Sequence, residues 1–242
     1  MRVGGDMREW LVHQQVPSPN FNTRKAAISM VVLHYTGMPT AEEALARLTD
    51  GTHANPVSAH YLIDEAGTVI QMVDEKHRAW HAGAACWRGE RDVNSASIGI
   101  ELVNPGHEWG YSEFPEEQIA ALLPLLADII GRHQIPLANV VGHSDVAPAR
   151  KLDPGELFPW GRLAWHSLAL AKPKPTMRLV FDNDGAFFLA LERWGYDITD
   201  GPAAVRAFQR RWRPRVIDGE IDGEIGALLF ELLLERDTGR AT

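Results

Sequence analysis

The stretch Gly142-His143-Ser144-Asp145-Val146-Ala147-Pro148-Ala149-Arg150-Lys151-Leu152-Asp153-Pro154-Gly155 brings an imidazole, an ammonium and a carboxylate together in a segment suited to neither a helix interior nor a strand. Pro148 and Pro154 lack backbone donors, and Gly142 and Gly155 supply turn geometry, so the segment reads as a shaped loop. His143 and Asp153 need a third ligand to hold a metal. The best candidate is His34, which follows the apolar run of residues 28–33. Two histidines and one carboxylate leave one corner of a tetrahedron open for water, the donor pattern of a hydrolytic zinc site. The chemistry this implies is metal-dependent hydrolysis.

Apolar runs alternating with helical patterns position these groups. Residues 28–33, 60–63, 69–73, 98–103 and 139–141 are rich in β-branched and apolar side chains and are expected to be strands. Residues 42–48 read as a short helix. Residues 116–133 read as a longer one, with Ile119, Leu122, Leu123, Leu126, Ile129 and Ile130 on one face and a kink expected at Pro124. Asp64-Glu65-Ala66-Gly67 reads as a hairpin turn. The fold class expected is α/β, a mixed central sheet flanked by helices. Further on, residues 187–194, 203–212 and 223–235 suggest three helices. Phe188, Leu191, Trp194, Val205, Phe208, Trp212, Leu228 and Leu229 would fill this small unit, whose core is marginal by itself. The alternating Lys172-Pro173-Lys174-Pro175 marks a linker. The expected organisation is a catalytic domain over 1–171, a linker over 172–177 and a helical domain over 178–242.

A formal charge of −8 disfavours nonspecific nucleic-acid binding. Thirteen basic and 20 acidic side chains lie in residues 1–171, against 11 and 12 beyond, so the acidity belongs to the first part. No apolar run approaches the roughly 18–20 residues of a membrane span. The single cysteine, Cys86, excludes an intramolecular disulfide framework and reads as a packed thiol. The first 20 residues are polar and contain neither an apolar signal region nor a lipidation cysteine, so a cytoplasmic protein is expected.

His34-Tyr35-Thr36, Ser58-Ala59-His60-Tyr61-Leu62-Ile63, Trp80-His81-Ala82-Gly83, Ser97-Ile98-Gly99-Ile100-Glu101-Leu102 and the loop from Gly142 to Pro154 occur in one order. In that order they resemble the zinc-dependent N-acetylmuramoyl-L-alanine amidases of the amidase-2 group, relatives of bacteriophage T7 lysozyme and the peptidoglycan-recognition proteins. The resemblance covers roughly residues 17–165. Trp194-Gly195-Tyr196-Asp197, the run from Ala204 to Arg211 and Ile217-Asp218-Gly219-Glu220-Ile221-Asp222 resemble, more degenerately, a small three-helix peptidoglycan-binding domain.

The resemblance assigns one Zn2+ per chain to His34, His143 and Asp153, the three residues reached above from their chemistry. Some relatives carry cysteine where Asp153 stands; a carboxylate makes the site harder and less thiophilic. Glu101 lies in an apolar strand, where a lone carboxylate is costly unless paired. The resemblance makes it the general base, which takes a proton from water and later delivers it to the leaving amine. The alternative is a strand-edge salt bridge. Lys151 would steady the oxyanion that forms as the amide carbonyl turns tetrahedral. Tyr35, His60, Trp80, His81 and Asn104 are candidate substrate-groove residues, with core or supporting roles as the plainer reading. Arg206, Arg210, Arg211, Arg213 and Arg215 form either a contact for anionic wall polymer or a solvated helix face. The implied partners are peptidoglycan fragments or the sacculus. The rival to an amidase is a recognition protein that binds muropeptides without cutting them.

Overall fold

Three apolar runs of the sequence lie side by side in one sheet, and their ends carry the groups singled out above. The computed structural model describes residues 11–175 and 181–238. The first ten residues, the last two of the expected linker, residues 178–180 and residues 239–242 lie outside the described residues. The strands are β1 (Gln14–Gln15), β2 (Phe21–Thr23), β3 (Met30–Tyr35), β4 (Tyr61–Ile63), β5 (Val69–Gln71), β6 (His77–Ala79), β7 (Ser97–Leu102) and β8 (Val140–Gly142). Helices α1 (Ala41–Thr49), α2 (Val93–Ala96), α3 (Gly106–Trp109), α4 (Glu116–His133), α5 (His143–Val146) and α6 (Trp160–Trp165) accompany them. Helices α7 (Asp184–Trp194), α8 (Gly201–Trp212) and α9 (Gly223–Asp237) follow. Among the described residues no helix is long and apolar enough to cross a membrane.

The main sheet has the order β1-β5-β4-β7-β3-β8, and β2 pairs separately with β6. β3 runs parallel to both β7 and β8, and β4 is parallel to β7. β5 turns back antiparallel on β4 through residues 64–67, as the hairpin reading expected, with Gly67 at φ +83°. The result is the mixed sheet flanked by helices that the sequence pattern implied.

Period-two alternation sorts the central strands between two faces. Val31, Leu33, Ile98, Ile100 and Leu102 pack under α4, which buries Ile119, Leu122, Leu125, Leu126 and Ile129. Each such side chain contributes about 1.5–3 kcal/mol of burial. Leu125 is buried there as well, while the expected Leu123 and Ile130 are partly buried against the same cluster. Pro124 is exposed and α4 runs on through it from Glu116 to His133. The opposite face carries Met30 and Val32, and here α7, α8 and α9 settle. Phe187, Leu191, Trp194, Val205, Phe208, Trp212, Leu228 and Leu229 form one continuous apolar cluster with Met30, Val32, Val141 and Val146. Phe187, not Phe188, is the fully buried member of that pair. The C-terminal helices thus share their core with the sheet.

Candidate active site

Register brings the chemistry together. The Cα of His34 pairs directly with that of Glu101, and Leu33 pairs with Gly142, the residue before His143. His34, Glu101 and His143 therefore emerge at the C-terminal ends of three adjacent parallel strands, the edge where α/β sheets place their ligands. The strand expected over 28–33 is displaced to Met30–Tyr35, so His34 lies inside β3 with its ring buried. Asp153 returns to this edge because the Ser144 backbone N–H donates to the Asp153 carbonyl at 2.8 Å. Gly142 is needed there, since a Cβ on it would lie 2.6 Å from the Pro154 ring.

His34 Nδ1, His143 Nδ1 and Asp153 Oδ2 converge, at 2.9 Å between the two nitrogens and 3.0 Å from each nitrogen to the oxygen. Their partners fix the tautomers. Ser97 Oγ donates to the Val93 carbonyl at 2.5 Å and so accepts from His81 Nε2 at 3.2 Å. His81 Nδ1 is left to accept from His34 Nε2 at 3.0 Å. His143 Nε2 donates to the Ala82 carbonyl at 3.0 Å. Both inward nitrogens consequently present lone pairs beside a carboxylate oxygen. Burial, and then the neighbouring His143, push the His34 imidazole down to about 4, so that it is neutral near pH 7. The contact of His34 with Asp153 is thus not an ion pair. Three buried lone pairs within about 3 Å of one another repel unless a cation sits among them, and this donor set fits a metal ion.

The group opens into a cavity of about 420 Å³ lined by Tyr35, His81, Glu101, His107, Arg150 and Lys151, with Arg47 on its α1 wall. Glu101 is 8% exposed, and its Oε2 has no hydrogen-bond partner. Burial, with Asp153 adding to it, raises the Glu101 carboxyl well above its usual value, against the pull of Lys151. The salt bridge weighed for Glu101 is not formed. A carboxylate kept unpaired at a cavity wall is suited to exchange protons.

Other expected groove residues have different surroundings. His60 is fully buried outside the cavity, where its Nδ1 accepts from the Gly99 N–H at 2.9 Å. Asn104 is also buried away from it, bridging the Gly106 N–H and the Ser112 carbonyl and so shaping the loop after β7. Trp80 is half-buried, its N–H donating to the Ser58 hydroxyl and its carbonyl accepting from the Ser58 N–H, and it does not line the cavity. His81 does line it, while also backing His34. A Cβ on Gly99 would lie 2.5 Å from the His81 ring, so the strand leaves a gap there to admit it.

Two features were not anticipated. His107 receives the Tyr35 hydroxyl at 2.9 Å on Nδ1 and faces Glu156 at 3.2 Å through Nε2, forming the cavity rim. The arginines of α8 are largely enclosed. Arg211 lies over the Trp160 ring, Arg210 faces Glu156 at 3.5 Å, and Arg213 pairs with Asp218 and Asp222. Of that cluster only Arg206 and Arg215 are exposed, so neither a wall-polymer contact nor a solvated face describes the other three.

Known proteins resemble this chain in sequence and fold. The family model described as N-acetylmuramoyl-L-alanine amidase matches residues 24–156. The N-acetylmuramoyl-L-alanine amidase AmiD of Escherichia coli K12 is 37% identical over 235 residues, covering 86% of this chain and 83% of its own. The 1,6-anhydro-N-acetylmuramyl-L-alanine amidase AmpD of the same organism is 35% identical over 171 residues, covering 63% of this chain and 91% of its own. A solved complex of E. coli AmiD with anhydro-N-acetylmuramic acid-L-Ala-D-gamma-Glu-L-Lys superposes with a TM-score of 0.75 at 36% identity, over 88% of this chain and 92% of that one. Pseudomonas aeruginosa AmpDh3 in complex with anhydromuramic pentapeptide gives 0.76 at 26% identity, over 97% and 99%. With this sheet, this convergent His-His-Asp group and these relatives, the chain belongs to the N-acetylmuramoyl-L-alanine amidase family.

Proposed function

We propose that the chain hydrolyses the amide between N-acetylmuramic acid, or its 1,6-anhydro form, and the L-alanine of peptidoglycan stem peptides, with zinc as its metal. One observation carries the reading: three convergent lone pairs share a cavity with an unpartnered buried carboxylate. His34, His143 and Asp153 would hold the zinc, which when bound would supply a Lewis acid to the amide and the attacking water. Glu101 accepts a proton from the attacking water and returns it to the nitrogen of the departing L-alanine. Lys151 places a positive charge on the cavity wall, toward the oxygen that gains negative charge. His81 holds the His34 ring in the tautomer that aims Nδ1 inward. A recognition protein without turnover has no use for an unpartnered buried carboxylate beside the convergent donors, which supports the catalytic reading.

The domain organisation read from the sequence stands with this proposal: catalysis over 1–171 and a peptidoglycan-binding-like unit over 178–242, whose second contact would raise the local concentration of polymer. The test incubates purified full-length protein with an anhydro-muropeptide and with sacculi, with and without a chelator, and reads the products by mass spectrometry. Chelator-sensitive release of free stem peptide is the expected result, and the ratio of the two rates reports substrate preference. Binding without cleavage by zinc-loaded protein would overturn the proposal. Cell fractionation tests the expected cytoplasmic placement.

A further inference from the structure

Asp145, two positions after His143, links the sheet to the C-terminal helices through hydrogen bonds. Asp145 is buried, and its two carboxylate oxygens have separate duties. Oδ2 accepts from the Gly142 N–H at 2.8 Å and closes the start of α5, the turn that presents His143. Oδ1 accepts from the Tyr196 hydroxyl at 2.6 Å. Tyr196 follows α7, is 2% exposed, and is wedged edge-on against Trp87 and Phe208, so the direction of its hydroxyl is set by packing. From Tyr196 the path to the metal group is short and fully buried: Tyr196, Asp145, the Gly142 backbone, His143. The same four-residue turn holds the third ligand, because the Ser144 N–H donates to the Asp153 carbonyl. Helix α8 makes a second connection, where Arg210 faces Glu156, which in turn meets His107 on the rim.

We propose that Tyr196 is a positioning residue for the metal site, so that the C-terminal helical unit is built into the catalytic apparatus as well as standing beside it. The proposal rests on the metal reading above. A hydroxyl that orients a ligand-bearing turn acts as the outer partners of metal ligands do, and loss of such partners typically weakens metal affinity 10- to 100-fold. A unit serving only to bind polymer would leave that affinity alone.

The experiment compares the full chain with Tyr196→Phe, which keeps the ring packing and removes one O–H. Zinc dissociation constants are read by competition with a chromogenic chelator. The expected result is zinc held at least 10-fold more weakly. Ile225→Val, in the buried core of α9 and without contact to Asp145, serves as the control for simple destabilisation and is expected to lower Tm while leaving the zinc constant unchanged. Adding Tyr196→Phe to Asp145→Asn should weaken zinc no further than Asp145→Asn alone. A Tyr196→Phe protein that binds zinc like the wild type, or one matched by Ile225→Val, would overturn the proposal. Coupling is also reciprocal, so amide exchange of the wild-type chain gives a reading that needs no variant. Removing zinc should speed exchange around residue 196, and unaltered exchange there would count against the proposal. A wild-type chain that takes up no zinc would instead remove the metal reading itself.

Discussion

Replacing Glu101 by glutamine should move activity and stability in opposite directions. The side chain keeps its shape and loses its charge. In the metal-free protein the wild-type carboxylate is buried with one oxygen unpartnered and Asp153 nearby, and both push its protonation upward. An unsatisfied buried charged group costs on the order of 2 kcal/mol, which the amide largely relieves. For a chain of this size that is about 4–8 °C in Tm. The gain depends on pH with a definite sign. A carboxyl raised in the folded state leaves the protein unharmed below its unfolded value, and it costs stability as pH rises from there through the folded value. The Tm difference between Glu101→Gln and wild type should therefore vanish below about pH 4.5 and widen toward neutrality. Turnover should fall by about 10²–10⁴, or roughly 3–5 kcal/mol of barrier, while zinc content stays near one per chain. Calorimetry of the apoprotein and product release by the zinc-loaded protein read the two halves separately. Wild-type-like turnover would refute the proton-transfer role, and a lowered apoprotein Tm would refute the account of Glu101 as a strained, unpaired charge.

Asp153→Ala should lose both zinc and activity, as metal analysis and product release would show. Chelation of the wild type should lower Tm by leaving three lone pairs facing one another, and added zinc should restore it; an unchanged Tm would contradict the convergence argument. Gly99→Ala drives a Cβ to within 2.5 Å of the His81 ring, so it should cost about 1–3 kcal/mol and weaken zinc binding by releasing His34 from its prop. Burial opposes ionisation of Glu75, but hydrogen bonds from Arg132, His133 and Tyr61 outweigh it and bring its carboxyl down to about 2. Because that value is depressed, the group stabilises the fold fully above about pH 4.5 and loses about 3 kcal/mol as pH falls toward 2. Denaturant titrations of wild type and Glu75→Gln across that window should converge at its acid end.

The convergent His-His-Asp group was legible because the carriers of its chemistry have few other reasons to sit where they do: a histidine closing an apolar run, and a loop bounded by glycines and prolines. Glu101 stood out for the same reason, as a charge in a strand with no neighbour of opposite sign. Residue type alone misplaced His60 and Asn104, since buried polar groups that serve the backbone look like groove donors until their partners are seen. His81 as the prop of His34 was beyond reach, because that contact depends on Gly99 leaving space across the sheet. The limits of β3 shifted because His34 and Tyr35 find ladder partners in β7, which propensity cannot register. The pairs β1–β5 and β2–β6 involve strands of two or three residues, too short to carry a period. The arginines of α8 read as exposed because charge usually is. Trp160 and Glu156, far away in the chain, are what enclose them.

The pairing of His34 with Glu101 across β3 and β7 has an evolutionary consequence. Much of the cavity wall comes from the connections that leave the strand ends: Thr36, Met38, Arg47 and Val57 after β3, Pro105, His107 and Glu108 after β7, and Arg150 and Leu152 after β8. Insertions and exchanges there can redraw which glycan or peptide is admitted while the ladder keeps its register. A single-residue slip within either strand would instead part Glu101 from the His34 beside it. Sequence change is therefore tolerated along the rim and costly along the rungs, so libraries aimed at new wall substrates belong in those three connections, with His143 and Asp153 held fixed.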